Sequence, residues 1–156
     1  MTASKGPTRW TEQQFQEMLW HDNAVHGVSF RNPDEDYSFD LIFDIDHVVE
    51  WIEIPNDGYE YIVSPATLTF HDVDKVVFDV KLNYKENLEI NFIDRQDIST
   101  DAQRNVGYKL YRWKISLHSQ SSQHENVIVF ESSGFTQELR RDPIRSDYYR
   151  LDEEQR

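Results

Sequence analysis

Apolar and polar residues alternate along much of the chain, which is the pattern of β-strands with one buried face. In residues 37–46 every odd position is apolar, and four of the five even positions are polar. The alternation returns in residues 75–84 and again in residues 88–92, on either side of a polar turn. Two alternating segments joined by a short polar turn predict a β-hairpin.

Shorter segments predict further strands at residues 24–31, 59–63, 66–71 and 127–130. Between residues 106 and 117 the alternation changes phase once, which predicts a β-bulge near Leu110. The apolar positions of residues 45–52 also fit helical spacing, so a helical turn in that segment is an open alternative.

One short helix is predicted near the start of the chain. Thr11 and Gln14 have the spacing of a capping box, and the apolar residues of 15–19 recur at helical spacing. We expect this helix to end near residue 20 or 21.

Eight or nine strands with a single helix predict one mainly-β domain over residues 11–140. Parallel βαβ units are disfavoured, because no long amphipathic helices separate the strands. We therefore expect an antiparallel β-sandwich or a partly open β-barrel or roll with a short N-terminal helix. Residues 1–10 are predicted to be a flexible N-terminus. Residues 141–156 are predicted to be an exposed, charged C-terminal tail, because apolar residues become sparse after Pro143.

Composition limits the classes of function. The chain has 156 residues and no cysteine, which excludes disulfides, zinc–thiolate sites and thiol nucleophiles. It has no apolar run near the length of a membrane helix and no secretory signal pattern, so we expect a cytoplasmic protein without a membrane partner. The sequence also lacks the motifs of phosphate-binding loops, dinucleotide sites and serine nucleophiles.

The net charge of −13 makes nucleic acid an improbable partner, because phosphate binding depends on Lys and Arg. The acidic excess is uneven: residues 1–100 hold 20 acidic and 7 basic residues, whereas the rest of the chain holds nine of each. Solvated acidic faces are common in soluble proteins. The alternative is a surface that attracts a basic protein partner.

A cluster of histidine and aspartate suggests a site. Asp44 and Asp46 lie two apart on one predicted strand, about 7 Å from each other on the same face. With His21 and His26 they are candidate ligands for a divalent metal ion in a hydrolase. Solvated carboxylates and structural histidines are the stronger interpretation, because the spacing matches no specific metal motif. No cofactor is expected.

Three segments resemble a group of small bacterial proteins that carry WHD…H, DIDxxxxW and SPATLxF in this order. The matching residues here are Trp20-His21-Asp22 with His26, Asp44-Ile45-Asp46 with Trp51, and 64–70. The resemblance covers about residues 15–140 and implies one domain of bacterial origin, but no activity or site residues.

The hypothesis that follows is a non-enzymatic, acidic protein-binding domain. By analogy of size and charge, it would be an immunity-type protein that neutralises a basic partner. A metal-dependent hydrolase is the alternative. The candidate binding residues are His21, Asp22, His26, Asp44, Asp46 and Trp51.

Overall fold

A computed structural model describes residues 6–33, 37–120 and 123–156. Residues 1–5 of the N-terminus predicted to be flexible lie outside this range, and Arg9–Thr11 form a strand. In the described ranges ten strands belong to one antiparallel sheet that is not closed. They are β1 (Arg9–Thr11), β2 (Ala24–Arg31), β3 (Asp40–Ile54), β4 (Gly58–Phe70), β5 (Asp74–Asp79), β6 (Leu88–Asp97), β7 (Tyr111–Ser119), β8 (Asn126–Ser132), β9 (Phe135–Leu139) and β10 (Ile144–Ser146).

The strand order is β1-β9-β4-β3-β2-β6-β7-β8-β5, and β10 pairs with β4 on the edge of β4 away from β3. The predicted mainly-β, antiparallel class is therefore confirmed. The strands form a single open sheet, which curls so that distant strands face each other. The Phe70 ring on β4 lies 5.0 Å from the Trp113 ring on β7 and 4.7 Å from the Phe130 ring on β8. The concave face thus encloses one aromatic core.

Alternation on β3 explains how the sheet presents two different faces. Leu41, Phe43 and Ile45 are fully buried in the core, whereas Asp44 and Asp46, which alternate with Phe43 and Ile45, lie on the opposite face. The pairing of β3 with β4 shifts register between Val48 and Glu50, which marks a β-bulge. Residues 45–52 are therefore strand, and the helical alternative is wrong. The extra residue of the bulge accounts for the mixed spacing.

Two finer strand predictions are also wrong. β5 (Asp74–Asp79) pairs with β8 instead of forming a hairpin with β6, because alternation specifies a buried face but not a partner strand. The predicted bulge near Leu110 is absent, since β7 begins at Tyr111 and a short helix α1 (Asp101–Asn105) precedes it. The change of phase marks the start of a strand.

The predicted N-terminal helix is replaced by a 3₁₀-helix over Glu12–Glu17. The capping box is present: the Thr11 backbone N–H donates to Gln14 Oε1 at 2.8 Å. The helix ends at Glu17, earlier than predicted. Trp20 then enters the core, where its Nε1 donates to Gln137 Oε1 at 2.8 Å. A second 3₁₀-helix covers Glu153–Gln155. No helix of the described residues is long and apolar enough to span a membrane.

The C-terminal segment, residues 141–156, packs against the outer face of the sheet. Ile144–Ser146 pair with β4 as β10, and Leu151 is only 3% exposed. Leu151 forms a second, small apolar cluster with Val48 and Val63. Much of the segment is exposed, and β10 and Leu151 attach it to the sheet. A few apolar residues are sufficient to anchor it, since each buried leucine contributes about 2 kcal/mol.

Candidate functional site

The acidic cluster consists of Asp44, Asp46 and His26 with the three arginines that contact them, Arg140, Arg150 and Arg156. Asp44 and Asp46 lie on the outer face of β3, as the alternation predicts, opposite Thr67 and Pro65 of β4. Both carboxylates are covered by side chains from the C-terminal part of the chain. The cluster is therefore an internal network beneath the C-terminal segment.

Asp46 is the centre of this network and is fully buried. Its Oδ2 accepts from His26 Nε2 at 2.6 Å and from the Leu151 backbone N–H at 2.8 Å. Its Oδ1 accepts from Arg156 Nε at 2.9 Å. Three donors thus satisfy a carboxylate that would be costly to bury alone. Burial opposes ionisation of Asp46, but these hydrogen bonds outweigh burial and lower its pKa.

Asp44 is more exposed and has two arginine partners. Its Oδ1 accepts from Arg156 Nη2 at 2.5 Å and from Arg140 Nη2 at 2.7 Å. Partial burial opposes ionisation, yet the hydrogen bonds from Arg156 and Arg140 hold the pKa of Asp44 below its usual value. The two negative charges of the predicted acidic surface are therefore neutralised within the chain.

His26 connects this network to its surroundings. The Asp46 carboxylate can only accept, so His26 Nε2 carries the hydrogen in this bond. On the other ring nitrogen, Nδ1 accepts from Arg150 Nη2 at 3.4 Å. An aspartate–histidine pair can serve a nucleophile, but a guanidinium occupies the position where a hydroxyl would stand. The hydrogen bond of the pair links β2 to β3.

The four predicted metal ligands are not brought together. His21 is exposed, with its Nδ1 3.1 Å from the Asn91 carbonyl oxygen and its Nε2 3.4 Å from Asp22. His26 contacts Asp46, whereas Asp44 is bound to arginines. In the described part of the chain, no group of three or more His, Cys, Asp or Glu side chains could hold a metal ion.

The outer hairpin, residues 50–61, is the second candidate region. It is the end of the β3–β4 ribbon beyond the bulge, and it carries exposed Trp51 (38%) and Tyr59 (51%). Their ring centroids are 6.0 Å apart in an edge-to-face contact, and the Tyr61 ring lies 5.1 Å from that of Trp51. Glu50 and Glu53 on the same hairpin are exposed. Glu53 pairs with Tyr59 and lies on the same face as Trp51, so an acidic and an aromatic group share one solvent-facing surface, whereas Glu50 points to the other face of the hairpin.

The negative charge of Asp22 acts on Tyr61 of the outer hairpin. Burial raises the pKa of Tyr61, and the negative charge of Asp22 raises it further. Tyr61 also packs on Tyr149 of the C-terminal segment, with ring centroids 5.6 Å apart. The predicted site residues therefore divide into three groups. His26, Asp44 and Asp46 belong to the acidic cluster, Trp51 lies on the outer hairpin, and His21 and Asp22 contact each other at 3.4 Å.

Sequence reasoning missed the three arginines that complete the acidic cluster, namely Arg140, Arg150 and Arg156. Their position could not be read from local pattern, because they reach residues about 100 positions away along the chain. One signal was present: the balanced charge of residues 101–156 supplies cations for an acidic N-terminal part.

Comparison with protein-family models, with curated proteins and with solved structures gives no match for this chain.

Proposed function

We propose that this protein is a non-enzymatic, immunity-type domain of bacterial origin that binds a basic protein through its outer hairpin. The observation that carries the proposal is the exposed, edge-to-face pair Trp51 and Tyr59 on a hairpin with exposed glutamates. Tryptophan and tyrosine are enriched among the residues that contribute most to protein–protein binding.

The charge of the hairpin supports a basic partner. Asp44 and Asp46 already have arginine partners, so they offer little attraction to another protein. Glu50, Glu53 and Asp57 are exposed on the outer hairpin, where their field reaches solvent. Complementary charge accelerates encounter, whereas desolvated aromatic anchors determine how long a complex lasts. The acidic residues of the hairpin thus determine the association rate, and the aromatic residues determine the dissociation rate.

The proposed mechanism is encounter followed by anchoring. The negative field of the hairpin steers Lys and Arg side chains of the partner toward this surface. Trp51 then loses its remaining exposure against the partner, and Tyr59 supports the indole from the side. Such aromatic pairs contribute about 1 kcal/mol beyond the area they bury.

Affinity capture from a bacterial lysate, with the captured proteins identified by mass spectrometry, tests this proposal. The test variant is Glu50→Lys combined with Glu53→Lys. The matched control is Asp94→Lys combined with Asp101→Lys, two exposed acidic positions outside the hairpin with the same change in net charge. We expect basic proteins to be captured by the wild type and by the control, and to be lost with the hairpin variant.

Binding kinetics with the captured protein test the acidic and the aromatic residues separately. We expect the charge-reversed hairpin to lower the association rate about tenfold at low salt, and Trp51→Ala to raise the dissociation rate about tenfold. Equal loss of captured protein in the hairpin and control variants would show that the binding is nonspecific charge attraction. Unchanged capture by both variants would exclude this surface.

A further inference from the structure

A cleft of about 690 Å³ opens into the core beside the acidic cluster. Most of its wall is apolar, and the lining includes Val25, Val28, Phe78, Val80, Leu88 and Leu117. Its volume lies in the range of small-molecule binding sites, which are concave and mostly apolar with a few polar groups. The outer hairpin contributes no residue to it, so this region is independent of the proposed protein-binding surface.

The cleft exists because β2 changes its pairing along its length. β2 pairs with β6 only at Ala24 and Val25, although it pairs with β3 as far as Arg31. Beyond Val25 one side of β2 faces β5 through side chains, such as the Phe30 and Phe78 rings at 5.9 Å. The seam between β2 and β5 therefore leaves an opening into the core.

Arg150 lines this cleft with an unsatisfied guanidinium. Its Nη1 is buried and has no hydrogen-bond partner, and its Nη2 makes one long contact of 3.4 Å to His26 Nδ1. Arg140 and Arg156, by contrast, are each paired with a carboxylate. A buried donor without a partner is unfavourable, and an oxyanion beside a guanidinium forms strong, charge-assisted hydrogen bonds.

We propose that the cleft binds a small amphipathic monoanion, an apolar chain or ring that carries one carboxylate. The carboxylate pairs with the Arg150 guanidinium at the wall of the cleft, and the apolar part lies against the valine and leucine side chains. Glu86 also lines the cleft, and its Oε2 accepts from Ser119 Oγ at 2.6 Å. A ligand with a second negative charge would face this carboxylate, so one charge is favoured.

Isothermal titration calorimetry with three probes tests the proposal. Decanoate has both the chain and the charge, decan-1-ol has the chain alone, and acetate has the charge alone. We expect saturable 1:1 binding of decanoate, at least tenfold tighter than that of decan-1-ol, and no detectable binding of acetate. Arg150→Gln should weaken decanoate at least tenfold and leave decan-1-ol unchanged.

Arg145→Gln is the matched control, since Arg145 lies on the same segment but is exposed and paired with Glu60 outside the cleft. Its affinity for decanoate should equal that of the wild type. A second variant, Val28→Trp, fills the cleft from a partly exposed position of β2 and should abolish decanoate binding.

Equal affinities for decanoate and decan-1-ol, or unchanged decanoate binding in Arg150→Gln, would overturn the assignment of the carboxylate to Arg150. Unchanged binding in Val28→Trp would place the ligand elsewhere and overturn the site. Capture of basic proteins through the outer hairpin should be the same in Arg150→Gln and the wild type, so the two proposals fail separately.

Discussion

The two halves of β3 carry similar acidic residues in very different surroundings. In the inner half, Asp44 and Asp46 lie beneath the C-terminal segment and are bound to arginines. In the outer half, beyond the bulge after Val48, Glu50 and Glu53 are exposed, and Glu53 lies beside the exposed Tyr59 ring. The difference is whether another part of the chain folds over the strand.

This contrast shows what an alternating acidic pattern means. Alternation assigns the carboxylates to the face opposite the core, and that assignment holds for Asp44 and Asp46. It says nothing about what covers that face. In the covered half the carboxylates form ion pairs with arginines of the same chain. In the uncovered half the carboxylates face solvent.

Removal of the Asp46 carboxylate, in the covered half of β3, should give the largest decrease in the free energy of unfolding. Asp46→Ala leaves the donors of His26, Leu151 and Arg156 without their acceptor. Loss of one member of a buried ion pair typically costs about 3–5 kcal/mol. Urea denaturation at pH 7 measures this loss as a decrease in the free energy of unfolding.

Glu53→Ala on the exposed half is the matched control for Asp46→Ala. An exposed surface substitution should change the free energy of unfolding by no more than about 0.5 kcal/mol. Similar costs for the two variants would show that the halves of β3 do not differ as described.

Truncation of Leu151 tests whether the C-terminal segment is anchored. Leu151 is buried against Val48 and Val63, so Leu151→Ala should lower the free energy of unfolding by about 2–3 kcal/mol. The same denaturation experiment applies, and limited proteolysis should cut residues 141–156 faster in the variant. A stability equal to that of the wild type would mean that the segment is not held in this position.

His47, on the inner half of β3, makes the free energy of unfolding depend on pH. It is nearly buried, its Nδ1 accepts from Asn23 Nδ2 at 2.8 Å, and burial lowers its pKa to about 4. An unfolded histidine has a pKa near 6.5, so the unfolded chain takes up a proton first as the pH falls. Between pH 7 and pH 5 this difference should remove about 2 kcal/mol of stability.

His47→Gln keeps an acceptor but cannot be protonated. The free energy of unfolding of this variant should therefore fall about 2 kcal/mol less between pH 7 and pH 5 than that of the wild type. The lower limit of pH 5 keeps the carboxylates with lowered pKa, Asp44 and Asp46, ionised in the fold. Parallel pH profiles of the two proteins would contradict a buried, neutral His47.

Local features of the fold were predictable from sequence. The bounds of β2, the alternation of β3 and the capping box at Thr11 all follow from short-range pattern. The pairing of β5 with β8 was not predictable, because strands at distant positions present similar apolar faces. Pro65 also divided one strand into two predictions, whereas β4 runs through it.

The candidate site was predictable only as a collection of residue types. Asp46 and His26 do meet, at 2.6 Å, but as part of a buried network and not as metal ligands. Arg156 could not be assigned to Asp46 from sequence, because their proximity depends on the path of the C-terminal segment. Leu151 fixes that path through contacts with two distant strands.

The seam between β2 and β5 has a consequence for motion. Side-chain contacts such as that of Phe30 with Phe78 join these strands, and the described residues place no backbone ladder between them. Separation of the two strands therefore breaks van der Waals contacts but leaves the hydrogen-bonded ladders intact. We expect the width of the cleft to fluctuate on the microsecond-to-millisecond timescale of collective motions, without local unfolding. A molecule could then enter the core while amide protection in the central strands stays complete.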